Sequence, residues 1–315
     1  MNRLLLMGLM AATFVPVAYG QDRSTPAQLL EYEVKQPLDI QTVATYDRPA
    51  CTVTDLSYAS PRGGRVGAYL VVPKAPGKFA AVLFGHWGNG TRAEFLPEAE
   101  LYAQVGVVSL LPDYPWDRPE SSHRGINNLQ HPEQDLQTYA QTVVDLRRGL
   151  DLLLARPEVD ATRIAYVGHS YGAQWGAILA AVDHRIQTAV LMGGTPTGAD
   201  LLNGDSPEVA EYRKTVPPAV WNKYIEANSP LDAINFIGRA APISVFFQFA
   251  TFEQYFSRSA MERYARAASQ PNTVRWYDTA HDLNDVQALL DRADWLQQRI
   301  RIASTRPLLV AMVTK

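Results

Sequence analysis

Gly168-His169-Ser170-Tyr171-Gly172 forms a G-x-S-x-G pattern, and the residues around it give it meaning. Arg163 to Val167 reads as a buried strand and Ala173 to Val182 as a small-residue helix, so Ser170 falls on a sharp strand-to-helix turn, a nucleophile elbow. Side chains at the two glycine positions would collide with the neighbouring helix or strand. Ser170 is expected in a strained conformation with its hydroxyl exposed, and the helix N-terminus behind it favours developing negative charge. The chemistry this suits is nucleophilic attack on an acyl carbon. A serine hydroxyl is a weak nucleophile at neutral pH and needs a base within hydrogen-bond reach. The oxyanion formed on attack needs backbone donors. Tyr171 N–H supplies one. The second is expected from Gly85-His86-Trp87-Gly88-Asn89-Gly90, where glycines let an amide turn inward. Trp87 N–H is the donor expected there, with Gly88 the nearest rival; the Trp87 indole would line the acyl pocket or simply pack in the core.

These groups require a scaffold that holds loops from distant segments together. A chain of 315 residues, 47% hydrophobic and 19% charged, excludes a disordered or collagen-like protein, and a single cysteine, Cys51, excludes an intrachain disulfide framework. Cys51 to Tyr58 and Arg65 to Val72 are β-rich runs separated by the turn signal Pro61-Arg62-Gly63-Gly64. Ala80 to Phe84, Val107 to Leu111, Ile164 to Val167, Ala189 to Met192 and Ile243 to Phe247 are short continuous apolar runs, which suit strands buried on both faces. Helix-length stretches lie between them, notably Leu136 to Leu154. Alternating buried strands and helices predict right-handed crossovers and a three-layer α/β sandwich, mostly parallel, with the leading hairpin as its antiparallel edge. One domain covering 51–315 is expected, preceded by a polar arm over 21–50. Thr195 to Ala240, rich in proline and aromatic residues, reads either as a cap or pocket wall or as an ordinary connection with an extra helix.

Met1 to Gly20 has the pattern of a secretory signal: Arg3, an apolar run from Leu4 to Val17, then Ala18-Tyr19-Gly20. The run is interrupted by Pro16 and falls short of the roughly 20 residues that span a bilayer. Cleavage near Gly20 and a periplasmic or extracellular location are expected. No later stretch is long and apolar enough to span a membrane, and the net charge of −3 comes with no basic run that would mark a nucleic-acid surface. The oligomeric state is not legible. The partner expected is a small or polymeric organic molecule.

With Gly85-His86-Trp87-Gly88, Leu110-Leu111-Pro112-Asp113, the Ser170 elbow and a late His281 in that order, the sequence resembles the α/β-hydrolase superfamily. Tyr58-Ala59-Ser60-Pro61-Arg62-Gly63-Gly64 leading into Ala68-Tyr69-Leu70-Val71-Val72-Pro73 is similar to the opening of its dienelactone hydrolase-like and acetyl xylan esterase-like branch, and the likeness runs from about Asp55 to Arg301. It implies hydrolysis of carboxylic esters without cofactor or metal. Dienelactone hydrolases proper carry a cysteine nucleophile, so the serine here argues against the dienelactone as substrate. In this superfamily the base lies on a loop after the last strand, downstream of the acid. His281, after the strand-like Thr273 to Tyr277 and before a helix from about Asn284 to Ile302, fits it. His169 should point away from the nucleophile, His86 stands in the wrong order, and His123, His131 and His184 lie among polar residues. A zinc site built from His123, His131 and nearby acids has no ligand spacing to recommend it.

The acid should follow the strand Pro242 to Phe247, and Gln248 to Phe256 contains one carboxylate, Glu253. Asp278 on the His281 loop, Asp282 and Asp205 are the alternatives. In the branch an aspartate usually stands at the Glu253 position, and Ala250 replaces a common glycine. The expected function is a secreted serine esterase working through Ser170, His281 and Glu253 with an acyl-enzyme intermediate. A polyester or cutin hydrolase, a prolyl oligopeptidase-type peptidase and a catalytically silent binding protein are the rivals. The peptidase lacks room for a propeller domain before Cys51.

Overall fold

The computed structural model describes residues 26–204 and 206–313. The expected leader over residues 1–20 and Asp205 lie outside the described residues. Four strands open the fold: β1 (Gln41–Asp47), β2 (Cys51–Ala59), β3 (Arg65–Pro73) and β4 (Phe79–Gly85). Then come α1 (Leu96–Ala103), β5 (Val107–Pro112), α2 (Pro132–Leu154), β6 (Val159–His169), α3 (Tyr171–Val182) and β7 (Thr188–Met192). Four short helices follow, α4 (Gly198–Leu202), α5 (Pro207–Lys214), α6 (Pro218–Asn228) and α7 (Ile234–Ile237). The chain closes with β8 (Ser244–Ala250), α8 (Arg258–Ala267), β9 (Asn272–Tyr277), α9 (Val286–Arg299) and α10 (Arg306–Val313).

The strands form one sheet in the order β1-β2-β3-β5-β4-β6-β7-β8-β9. Pairing is antiparallel from β1 through β5 and parallel from β5 to β9. The two halves differ because the parallel strands are joined by helices that must cross a face of the sheet, whereas the leading strands are joined by short turns. Burial follows the strand period of two. In β4, Ala81 and Leu83 pack into the cluster containing Val143, Leu146 and Leu150 of α2 and Ile178 of α3. Ala80, Val82 and Phe84 join the opposite cluster with Ala99 and Tyr102 of α1 and Ala288 and Leu296 of α9. Two helical layers therefore cover the sheet, and every residue of β4, β5, β7 and β8 is buried.

The region before Cys51 departs from the expected polar arm, because Gln41 to Asp47 pairs with β2 as an edge strand. Six of its seven residues are exposed, so no apolar alternation announces it. Further upstream, Arg147 Nη1 donates to the Leu30 carbonyl at 2.7 Å and Arg148 Nη1 to that of Val34 at 3.0 Å, fastening the chain to α2. Cys51 begins β2 and is buried against the α1 side, which pushes its thiol pKa up. Among the described residues no helix is long and apolar enough to cross a membrane.

Candidate active site

The C-terminal ends of parallel strands form the rim on which open α/β sheets place their ligands. Ser170 stands there between β6 and α3 with φ 55° and ψ −113°, a left-handed backbone costing about 1–3 kcal/mol that persists only if its surroundings impose it. The surroundings do. Ser170 N–H donates to the Met192 carbonyl at 2.7 Å, and Gly172 N–H donates to that of His86 at 3.1 Å. A Cβ at Gly172 would lie 2.1 Å from the Gly85 carbonyl oxygen, and one at Gly168 would lie 2.4 Å from that of Gly172. The flanking glycines thus let α3 start in contact with the end of β4.

His281 arrives on the loop between β9 and α9. Its Nε2 lies 2.9 Å from Ser170 Oγ, which donates, and its Nδ1–H donates to Glu253 Oε2 at 2.7 Å. The Glu253 side chain is 2% exposed. Its other oxygen accepts the amides of Gln254 and Tyr255, each at 2.9 Å. All these donors satisfy a carboxylate removed from water and fix which oxygen faces the imidazole. Tyr255 and Phe256 set their rings edge-on to His281, with centroids 4.7 and 5.8 Å away. Of the alternative acids, Asp278 and Asp282 are exposed. Asp282 bonds instead with Asn284 at 2.7 Å.

Tyr171 N–H is the first amide of α3, one of those that a helix leaves without an internal partner. The second expected donor needs a correction. Trp87 N–H donates to Glu94 Oε2 at 2.7 Å and is therefore already taken. The reason lies in how the loop is pinned: the His86 carbonyl accepts Gly172 N–H at 3.1 Å, which turns the Trp87 amide to the opposite side, while the Trp87 carbonyl is held by His86 Nδ1 at 2.7 Å and by Gly90 N–H at 3.0 Å, and the Gly88 carbonyl by Trp116 Nε1 at 2.9 Å. In a trans peptide the amide points opposite to the carbonyl before it. Gly88 N–H is then directed away from His86, with no partner among the described residues, and Gly88 lines the cavity above Ser170. His86 is buried against Tyr114, and burial lowers its pKa to about 4. At neutral pH it is a neutral imidazole with its hydrogen on Nδ1, a loop fastener rather than a base.

His169 does not face the Ser170 hydroxyl. Its Nδ1 lies 2.7 Å from Glu94 Oε1 and its Nε2 3.0 Å from the backbone oxygen of His281. Sequence reasoning gave Glu94 no role, since nothing local distinguishes it from an ordinary loop carboxylate. His123, His131 and His184 are exposed, and His131 pairs with Glu133 at 3.2 Å.

A cavity of about 350 Å³ opens over Ser170 and His281. Trp87 and Tyr255 wall one part of it, and Leu202, Val209, Tyr212 and Trp221, all from the segment between β7 and β8, wall another. That segment is tied to α2 by Tyr224, whose hydroxyl donates to Asp135 Oδ2 at 2.5 Å.

A family model described as alpha/beta hydrolase fold matches residues 120–314. The chain belongs to the α/β-hydrolase family. Solved structures agree on the architecture of this α/β-hydrolase. The acetyl xylan esterase from Paenibacillus sp. R4 is similar with a TM-score of 0.71 at 22% identity, covering 84% of this chain and 90% of its own. Acetyl xylan esterase 1 from Thermoanaerobacterium sp. JW/SL YS485 gives 0.70 at 18% identity, with coverages of 86% and 90%. A cold-adapted esterase from an Arctic intertidal metagenomic library gives 0.59 at 16% identity, with coverages of 82% and 99%. No curated protein matches the sequence of this α/β-hydrolase.

Proposed function

We propose that the protein is an exported serine esterase that cleaves carboxylic esters through an acyl-enzyme. The observation that carries this reading is the unbroken hydrogen-bond chain from the strained Ser170 through His281 to the buried Glu253. Ser170 Oγ attacks the ester carbonyl while His281 Nε2 takes its proton. Glu253 holds the imidazole in the tautomer that leaves Nε2 free to accept, and stabilises the imidazolium that forms. The oxyanion rests on the amides of Tyr171 and Gly88. His281 then gives its proton to the leaving alcohol, and a water repeats the sequence to release the acid.

The aromatic and aliphatic walls of the cavity favour compact ester groups, and two of the similar structures are named acetyl xylan esterases. Short acyl chains are therefore the substrates of choice. A fluorophosphonate should phosphonylate Ser170 stoichiometrically and leave the Ser170→Ala variant unlabelled, as judged by intact mass. An unlabelled native protein would favour a silent binding protein on this fold. Export is proposed from the tripartite N-terminal pattern. N-terminal sequencing of protein recovered from outside the cytoplasm should begin near Gln21, and a start at Met1 would dismiss it.

A further inference from the structure

His169 is 4% exposed, and both of its ring nitrogens face acceptors: a carboxylate oxygen on one side and a backbone carbonyl on the other. Both nitrogens lie within hydrogen-bond distance of an oxygen held by another segment, so the ring is fixed from two sides. The carboxylate is that of Glu94, 2.7 Å from Nδ1. The same carboxylate takes the Trp87 amide on its second oxygen. Three segments that sequence separates widely, the glycine-rich loop after β4, the end of β6 and the loop after β9, therefore meet at the contact between Glu94 and His169.

We propose that Glu94 and His169 are positioning residues for the reaction: His169 holds the backbone of the base, and Glu94 holds both His169 and the loop carrying the second oxyanion donor. The inference rests on the esterase reading above. Its mechanical content is specific. His169 immediately precedes the nucleophile, and it grips the carbonyl of the residue whose side chain must stand 2.9 Å from that nucleophile. The Ser170 to His281 separation is thereby set through a tie between the two backbones as well as by the side chains. Glutamine could keep both Glu94 contacts, its oxygen taking Trp87 N–H and its NH2 donating to His169 Nδ1 of a ring with hydrogen on Nε2, whereas alanine removes both.

The test compares three variants on p-nitrophenyl acetate, with hydrogen exchange of the 279–284 peptide as a readout independent of turnover. His169→Asn places an amide near the Nδ1 position and keeps the bond to Glu94, whereas His169→Gln reaches the Nε2 position and keeps the grip on His281. Misplacement by about 1 Å can cost on the order of 10²-fold. We expect Glu94→Ala and His169→Asn to lose about that much kcat with KM changed by less than about threefold, and His169→Gln to recover most of the loss. Exchange over 279–284 should quicken in the asparagine variant and stay near native in the glutamine one. Equal losses in the two His169 variants would reduce the role to packing, and a rise in KM alone would make it substrate contact; either overturns the proposal. If the native protein neither turns over ester nor takes the fluorophosphonate, the esterase reading fails on its own account. The exchange comparison then still judges the tie: quickening in asparagine alone supports it, and no difference overturns it.

Discussion

Replacing Ser170 with alanine should lower kcat for p-nitrophenyl acetate by about 10⁵–10⁶-fold, the scale seen when a triad nucleophile is removed and only oxyanion and binding contributions remain. The fold should not notice. The side chain makes one hydrogen bond, to His281, while the backbone at φ 55° is held by Met192 and by the glycine contacts on either side. Alanine meets the same backbone cost as serine, so Tm should stay within a degree or two. Thermal unfolding and steady-state kinetics on one preparation decide the matter. Turnover within tenfold of native, with Tm unchanged, would remove Ser170 from the chemistry.

Glu253→Gln should cost about 10³–10⁴-fold in kcat, because the site gives the glutamine one way to sit and it is the wrong one. The amides of Gln254 and Tyr255 both point at Oε1 and demand an acceptor there. The glutamine carbonyl oxygen must satisfy them, which turns its NH2 toward His281 Nδ1. The imidazole then accepts at Nδ1 and carries its hydrogen on Nε2, where it confronts Ser170 as a donor and cannot take the proton. Asp278→Asn, on an exposed position of the same loop, should leave kcat within about twofold, as surface substitutions away from special contacts do. A large loss in Asp278→Asn with little in Glu253→Gln would transfer the acid's role to the aspartate.

The parts of the molecule that could be read in the sequence are those where one physical constraint acts on consecutive residues. Ala80 to Phe84 announces β4 because both faces of that strand are covered, so every position is apolar. The elbow announces itself because two glycines one turn apart have no room for a side chain. Glu253 was legible because it is the lone carboxylate on the loop that follows β8. The hidden features depend on relations that spacing does not record. β1 is exposed on both sides and displays no alternation. The direction of the Trp87 amide is set by Gly172 N–H on the His86 carbonyl and by Glu94 on the amide itself, whereas composition reveals only that the loop can turn. Glu94 meets His169 across 75 positions of sequence, a pairing invisible until the sheet has formed.

The sequestered sulfur of Cys51 has a practical consequence. With its thiol closed off from solvent and its ionisation disfavoured, the native polypeptide offers maleimide or iodoacetamide reagents no competing attachment point among the described residues. One cysteine engineered at exposed Tyr212, on the wall contributed by the helices between β7 and β8, could carry a fluorophore or spin label in an otherwise wild-type background. Any movement of that wall on addition of an ester could then be followed in real time without first rebuilding the protein.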